Sequence, residues 1–156
     1  MKPHALIPVA ATLVLACTTS SQTPAANVSR EQFKQLEWIA GTWRGSGGAY
    51  PAFFEQYRFV NDTTIQMRAF ADSTLSKTTD SSLIQWLGNT IRSGHEKPQY
   101  VVIEFTPTSV RFRQPGATAG GHTFTRVSAD EWTATLHPAK AGGQETVYVM
   151  RRIGPA

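Results

Sequence analysis

The chain has 156 residues, enough for one domain, and its 40% hydrophobic and 17% charged content excludes a disordered polymer. The formal charge is +4, but Arg111 with Arg113 and Arg151 with Arg152 are its densest basic spots, so no basic stripe marks a nucleic-acid binder. A single cysteine excludes an intrachain disulfide and any multi-cysteine metal or iron–sulfur centre.

The N-terminus carries the first predicted element. Lys2 supplies a positive charge, and Ala5 to Ala16 form an apolar run. That run is shorter than the roughly 20 residues a helix needs to span a bilayer, and it suits the apolar region of a signal peptide. It ends Val14-Leu15-Ala16-Cys17, which resembles the lipobox of bacterial lipoproteins, with Leu15 at the tolerant position. The resemblance implies cleavage before Cys17, a diacylglyceryl group on its sulfur and further acylation of its new amino group. Several acyl chains give durable anchoring. Residues 1–16 are thus expected to be a signal peptide, and residues 17–28 a lipidated cysteine with an uncharged, Pro-containing tether. Thr18 rather than Asp after the cysteine favours, by likeness to enterobacterial lipoproteins, the outer membrane facing the periplasm. The expected partner is the membrane.

Residues 29–156 form the expected folded domain. Ser29 and Gln32 have the spacing of a capping box, and Phe33, Leu36 and Trp38 to Ala40 follow at near-helical spacing until Gly41. One short helix over 30–40 is predicted. Beyond it, runs rich in Val, Ile, Thr and aromatics alternate with Gly, Asn, Asp, Ser and Pro. They predict strands near 42–46, 52–60, 63–71, 81–87, 99–106, 109–114, 122–128, 131–137 and 144–153. Alternation is clearest where Val110 and Phe112 oppose Arg111 and Arg113, and where Trp132, Ala134 and Leu136 oppose Thr133, Thr135 and His137. The fold expected is all-β: an antiparallel up-and-down barrel of about eight to ten strands after one helix, with a sandwich as the alternative.

The segment Gly41-Thr42-Trp43-Arg44-Gly45 resembles the first strand of lipocalin-like, or calycin, barrels, in which the Trp closes one end beneath a basic residue. Over residues 33–153, the pattern Leu36-x-Trp38-x-Ala40-Gly41-x-Trp43-x-Gly45, Glu55, Phe124-x-Arg126, Trp132 and Tyr148-x-Met150-x-Arg152 resembles an uncharacterised family of exported bacterial proteins with a lipocalin-like barrel. That family implies no reaction. The string through Tyr50-Pro51 also resembles nitrobindin-type haem barrels, which ligate iron through a late His. Glu145 to Ile153 contains no His, so the haem alternative falls to His137 or His122, with His95 a further imidazole.

No nucleophile elbow, ordered Ser-His-Asp set, His-Glu-x-x-His motif or phosphate loop occurs, so no catalytic residue, metal or cofactor is assigned. Scattered carboxylates alone do not make a general-acid pair. The expectation is a binding module holding a small apolar or amphipathic ligand, with Trp43, Tyr57, Arg68, Trp86 and Glu104 as the candidate pocket. Arg68 and Glu104 interrupt apolar runs, and would pair if both pointed inward. A packed barrel that contacts other proteins is the alternative.

Overall fold

The computed structural model describes residues 23–95, 99–140 and 142–154. The signal segment and Cys17 lie outside them. The capping box forms as its spacing dictates: Gln32 N–H donates to Ser29 Oγ (3.2 Å) and Ser29 N–H to Gln32 Oε1 (2.8 Å). Helix α1 (Arg30–Lys34) then tightens into a 3₁₀ turn (Gln35–Ile39) rather than running as one α-helix to residue 40. With three residues per turn, Leu36 and Ile39 fall on the same face, and both are fully buried.

Ten strands follow: β1 (Gly41–Gly47), β2 (Tyr50–Asn61), β3 (Thr64–Phe70), β4 (Thr78–Leu87), β5 (Thr90–Gly94), β6 (Tyr100–Thr106), β7 (Ser109–Arg113), β8 (His122–Arg126), β9 (Glu131–Leu136) and β10 (Thr146–Gly154). Each pairs antiparallel with the next, and β10 pairs with β1, giving a closed barrel and not a sandwich. Closure removes every exposed sheet edge. Strand β5 is the element missing from the sequence reading. It is short, carries one large apolar residue, Ile91, and makes only two residue pairings with β6.

Where β5 and β6 part, the N-terminal segment bridges them. Ala26 N–H donates to Val102 O, Val28 N–H to Asn89 O, and the Trp86 indole N–H to Val28 O, each at 2.8 Å. Val28 is fully buried. Ala26 and Val28, expected at the end of a tether, are thus hydrogen-bonded to the barrel.

The helix and 3₁₀ turn close the end of the barrel at which β1 starts. Phe33 packs edge-on against Phe59 (5.7 Å between centroids), Trp38 against Trp132 (6.2 Å), and Arg30 and Lys34 both pair with Asp62. At this end Trp132 is a hub, in edge contact with Trp43 (5.9 Å), Tyr57 (5.7 Å) and Phe124 (4.9 Å) as well. Farther along β1, Gly45 leaves room for the Phe53 ring, which a Cβ there would overlap.

Candidate ligand cavity

Strand pleating decides which side chains reach the interior. Cross-strand neighbours share a face, so the row Trp43–Glu55–Ala69–Asp80 runs around the inner wall of β1 to β4. In the next row Tyr57 pairs with Met67 and Met67 with Ser82. Toward the end away from the helix these inner positions leave a cavity of about 870 Å³. Its floor is Tyr57, Ile84, Trp132 and Met150; its walls include Phe124, His122, Ser82, Ser93 and Tyr148; Tyr50, Phe53 and Tyr100 stand toward the mouth. Eight-stranded barrels are narrow enough for side chains to fill, and two further strands widen the ring.

The polar groups in this cavity are few. Glu55 accepts a hydrogen bond from the Tyr57 hydroxyl at 2.9 Å. Burial raises the Glu55 pKa above its ordinary value; the Tyr57 bond opposes the shift and the Asp80 charge adds to it. Tyr57 is likewise raised, by its own burial and then by the Glu55 charge. His122 stacks on Phe112 (4.9 Å), with Phe124 tilted against it and Tyr100 edge-on, both at 5.0 Å. Burial, assisted by the neighbouring His137, pushes its pKa down to about 4, so the imidazole is neutral at pH 7.

Of the five pocket candidates from the sequence, only Tyr57 lines the cavity. Trp43 faces inward but is fully buried beneath the floor, where its indole N–H donates to Ile39 O at 2.8 Å. Trp86 is held at the closed end by Val28. Arg68 faces out, because Met67 beside it faces in with Tyr57. Glu104 also faces out, and pairs with Arg111 at 3.5 Å. Arg68 and Glu104 therefore form no interior pair. Glu55 and His122 are in-phase with inward aromatics: Phe53 and Tyr57 flank Glu55 at i−2 and i+2, and Phe124 follows His122 at i+2. That period-two signal could have placed both in the pocket.

His137 lies on the other side of the wall. It bridges Thr123 Oγ1 through Nε2 and Glu145 Oε1 through Nδ1, both at 2.7 Å, and so ties β8 and β9 to the approach of β10. With both nitrogens engaged it is not positioned to ligate a group in the cavity. His122 could offer a nitrogen there. Yet no Lys or Arg is found among the described lining residues to meet haem propionates, and Glu55 and His95 are the ionisable neighbours besides tyrosines. The lining thus fits haem poorly. Among the described residues no group of three potential metal ligands occurs.

The fold and cavity together define a closed, antiparallel ten-stranded barrel with one helix-plugged end and an aromatic-lined interior. No family model matches the chain, and no curated protein does. Among solved structures, a redesigned beta barrel aligns with 76% of this chain and 95% of its own, at 10% identity and a TM-score of 0.37. The barrel assignment rests on the closed ladder itself.

Proposed function

We propose that this protein is a cell-envelope lipoprotein, anchored through Cys17, whose barrel carries a small apolar or amphipathic ligand. The observation that carries the ligand reading is the cavity of about 870 Å³, lined mainly by aromatic and aliphatic side chains with a few polar groups. Ligand sites typically occupy about 300–1,000 Å³ with that mixture of surfaces. The anchoring reading is supported by the sequence Val14-Leu15-Ala16-Cys17 after an apolar run, and Thr18 favours the outer membrane.

Native mass spectrometry of the full chain, purified from its own cells, tests the carrier reading. A co-purified small molecule released on unfolding is expected. A chain that carries nothing, and binds nothing from an extract of the same cells, would sink it. Detergent partitioning tests the anchor: Cys17→Ser should move the protein to the aqueous phase. Unchanged partitioning would remove that half of the proposal.

A further inference from the structure

Among the described cavity-lining residues, Glu55 is the one carboxylate, and no Lys or Arg accompanies it. The chain as a whole has 15 Lys and Arg against 11 Asp and Glu. Four of the strand arginines face the other way: Arg44 neighbours inward Trp43, Arg68 neighbours inward Met67, and Arg111 and Arg113 flank inward Phe112; Arg152 stays at the closed end, over Trp43. Glu55, in contrast, faces inward, and its one hydrogen bond comes from the neutral Tyr57 hydroxyl. No cationic side chain among the described residues is within ion-pair distance of it. Asp80 stands two strands away on the same inner row, with His95 Nδ1 3.5 Å from its carboxylate.

Glu55 is half-buried, and a carboxylate in that setting without a cation is costly and is ordinarily paired. The rings beside it supply the other half of a cation site. Phe53 and Tyr148 meet edge to face at 5.3 Å and line the same cavity with Tyr50 and Tyr100, while Tyr57 and Trp132 pack beneath them as its floor. Aromatic faces attract an ammonium through their quadrupoles, most strongly where water is excluded. The hydroxyls of Ser82 and Ser93 line the cavity with no hydrogen-bond partner among the described residues, so each can accept from an N–H. A fatty acid, phosphate or sulfate would meet a carboxylate and no cation.

From this arrangement we infer that the barrel selects an organic cation: a protonated amine on an aromatic or aliphatic body, with its ammonium at Glu55 and its body against the aromatic floor. The inference rests on the carrier reading above and names its ligand class.

Isothermal calorimetry on the full chain in lipid nanodiscs, with empty nanodiscs as the blank, tests it. Three probes share one body: 2-(1-naphthyl)ethylamine, 2-(1-naphthyl)ethanol and 1-naphthylacetic acid. The amine should bind at least tenfold tighter than the alcohol, and the acid weakest. In Glu55→Gln the amine's advantage should shrink to within about threefold while alcohol affinity holds. Equal binding of amine and alcohol, tightest binding of the acid, or an amine preference that persists in Glu55→Gln would each overturn the inference and leave the carrier reading standing. Binding of none of the three would likewise overturn the inference, and the carrier reading would then rest on the co-purified ligand alone. The wild-type series decides the selectivity even if the variant fails to fold.

Discussion

The guanidinium of Arg152 lies 4.1 Å above the ring of Trp43, and the two residues join the last strand of the barrel to the first. Arg152 also donates to Ala40 O at 2.9 Å and to Ala129 O at 3.0 Å, and pairs with Asp130 at 3.2 Å. Gly41 makes this possible, since a Cβ there would collide with the guanidinium. One side chain thereby ties the end of the 3₁₀ turn, the turn before β9 and the closing strand together. A basic residue thus covers Trp43 at the closed end of the barrel.

Arg152→Met should destabilise the barrel by about 2–4 kcal/mol, since charge-assisted hydrogen bonds to otherwise unpaired carbonyls are lost together with the stacking. Arg152→Lys should recover less than half, because an ammonium cannot reproduce the planar fork. Urea unfolding of both variants checks this. A loss below about 0.5 kcal/mol, the range of ordinary surface substitutions, would show the contacts to be incidental.

Two tryptophans of similar burial should respond differently to the same change. The Trp43 indole N–H is bonded to Ile39 O, whereas the buried Trp132 N–H has no acceptor among the described residues. Trp43→Phe leaves a buried carbonyl unpaired, while Trp132→Phe removes an N–H that was already unpaired. Trp43→Phe should therefore cost about 1–2 kcal/mol more than Trp132→Phe, compared by denaturant unfolding. The reverse order would contradict the hydrogen-bond assignment.

Glu55 should lower the stability of the ligand-free protein at neutral pH. Its folded pKa lies above the ordinary 4.5. Between those two values the native state holds the proton more tightly than the unfolded state, so stability falls as pH rises through that window. Glu55→Gln keeps an acceptor for Tyr57 and removes the charge. Its Tm should exceed that of the parent at pH 7, and the difference should vanish below pH 4.5. An equal Tm difference at both pH values would point to packing and not to charge.

His122 gives the opposite slope. Its folded pKa is about 4 against an ordinary 6.5, so on acidification the unfolded chain takes up the proton first. Stability is undiminished above pH 6.5 and is lost as pH falls toward 4, by up to about 3 kcal/mol from this group at about 1.4 kcal/mol per pH unit. His122→Phe should flatten that part of the profile, with His95 and His137 present in both proteins as the control. Parallel acid limbs for parent and variant would rule the group out, and an imidazole NMR titration would locate its pKa directly.

Local chemistry made some of this architecture legible. The Ser29–Gln32 capping box needs three residues of spacing and nothing else. The inward set Trp132 and Ala134 follows from alternation along one strand. Alternation fails where a strand is irregular. In β6 Val102 pairs with inward Phe112, but the next pairing is Glu104 with Arg111, which leaves Ile103 as an extra residue. That bulge reverses the parity. Glu104, which shares the parity of Val102 in the sequence, is turned to solvent, and the expected partnership with Arg68 disappears. Strand β5 escaped notice because five residues with one large apolar side chain carry little periodic signal.

By itself the sequence determined the all-β character, the helix start, most turns and the supply of aromatics, because each depends on neighbours within a few residues. Only the tertiary structure decided that the tenth strand returns to the first, that residues 26–28 bridge β5 and β6, and that Glu55 and His122 share one cavity. Those outcomes depend on strand order, register and ring width. They are set by contacts between residues far apart in the chain, and no local pattern encodes them.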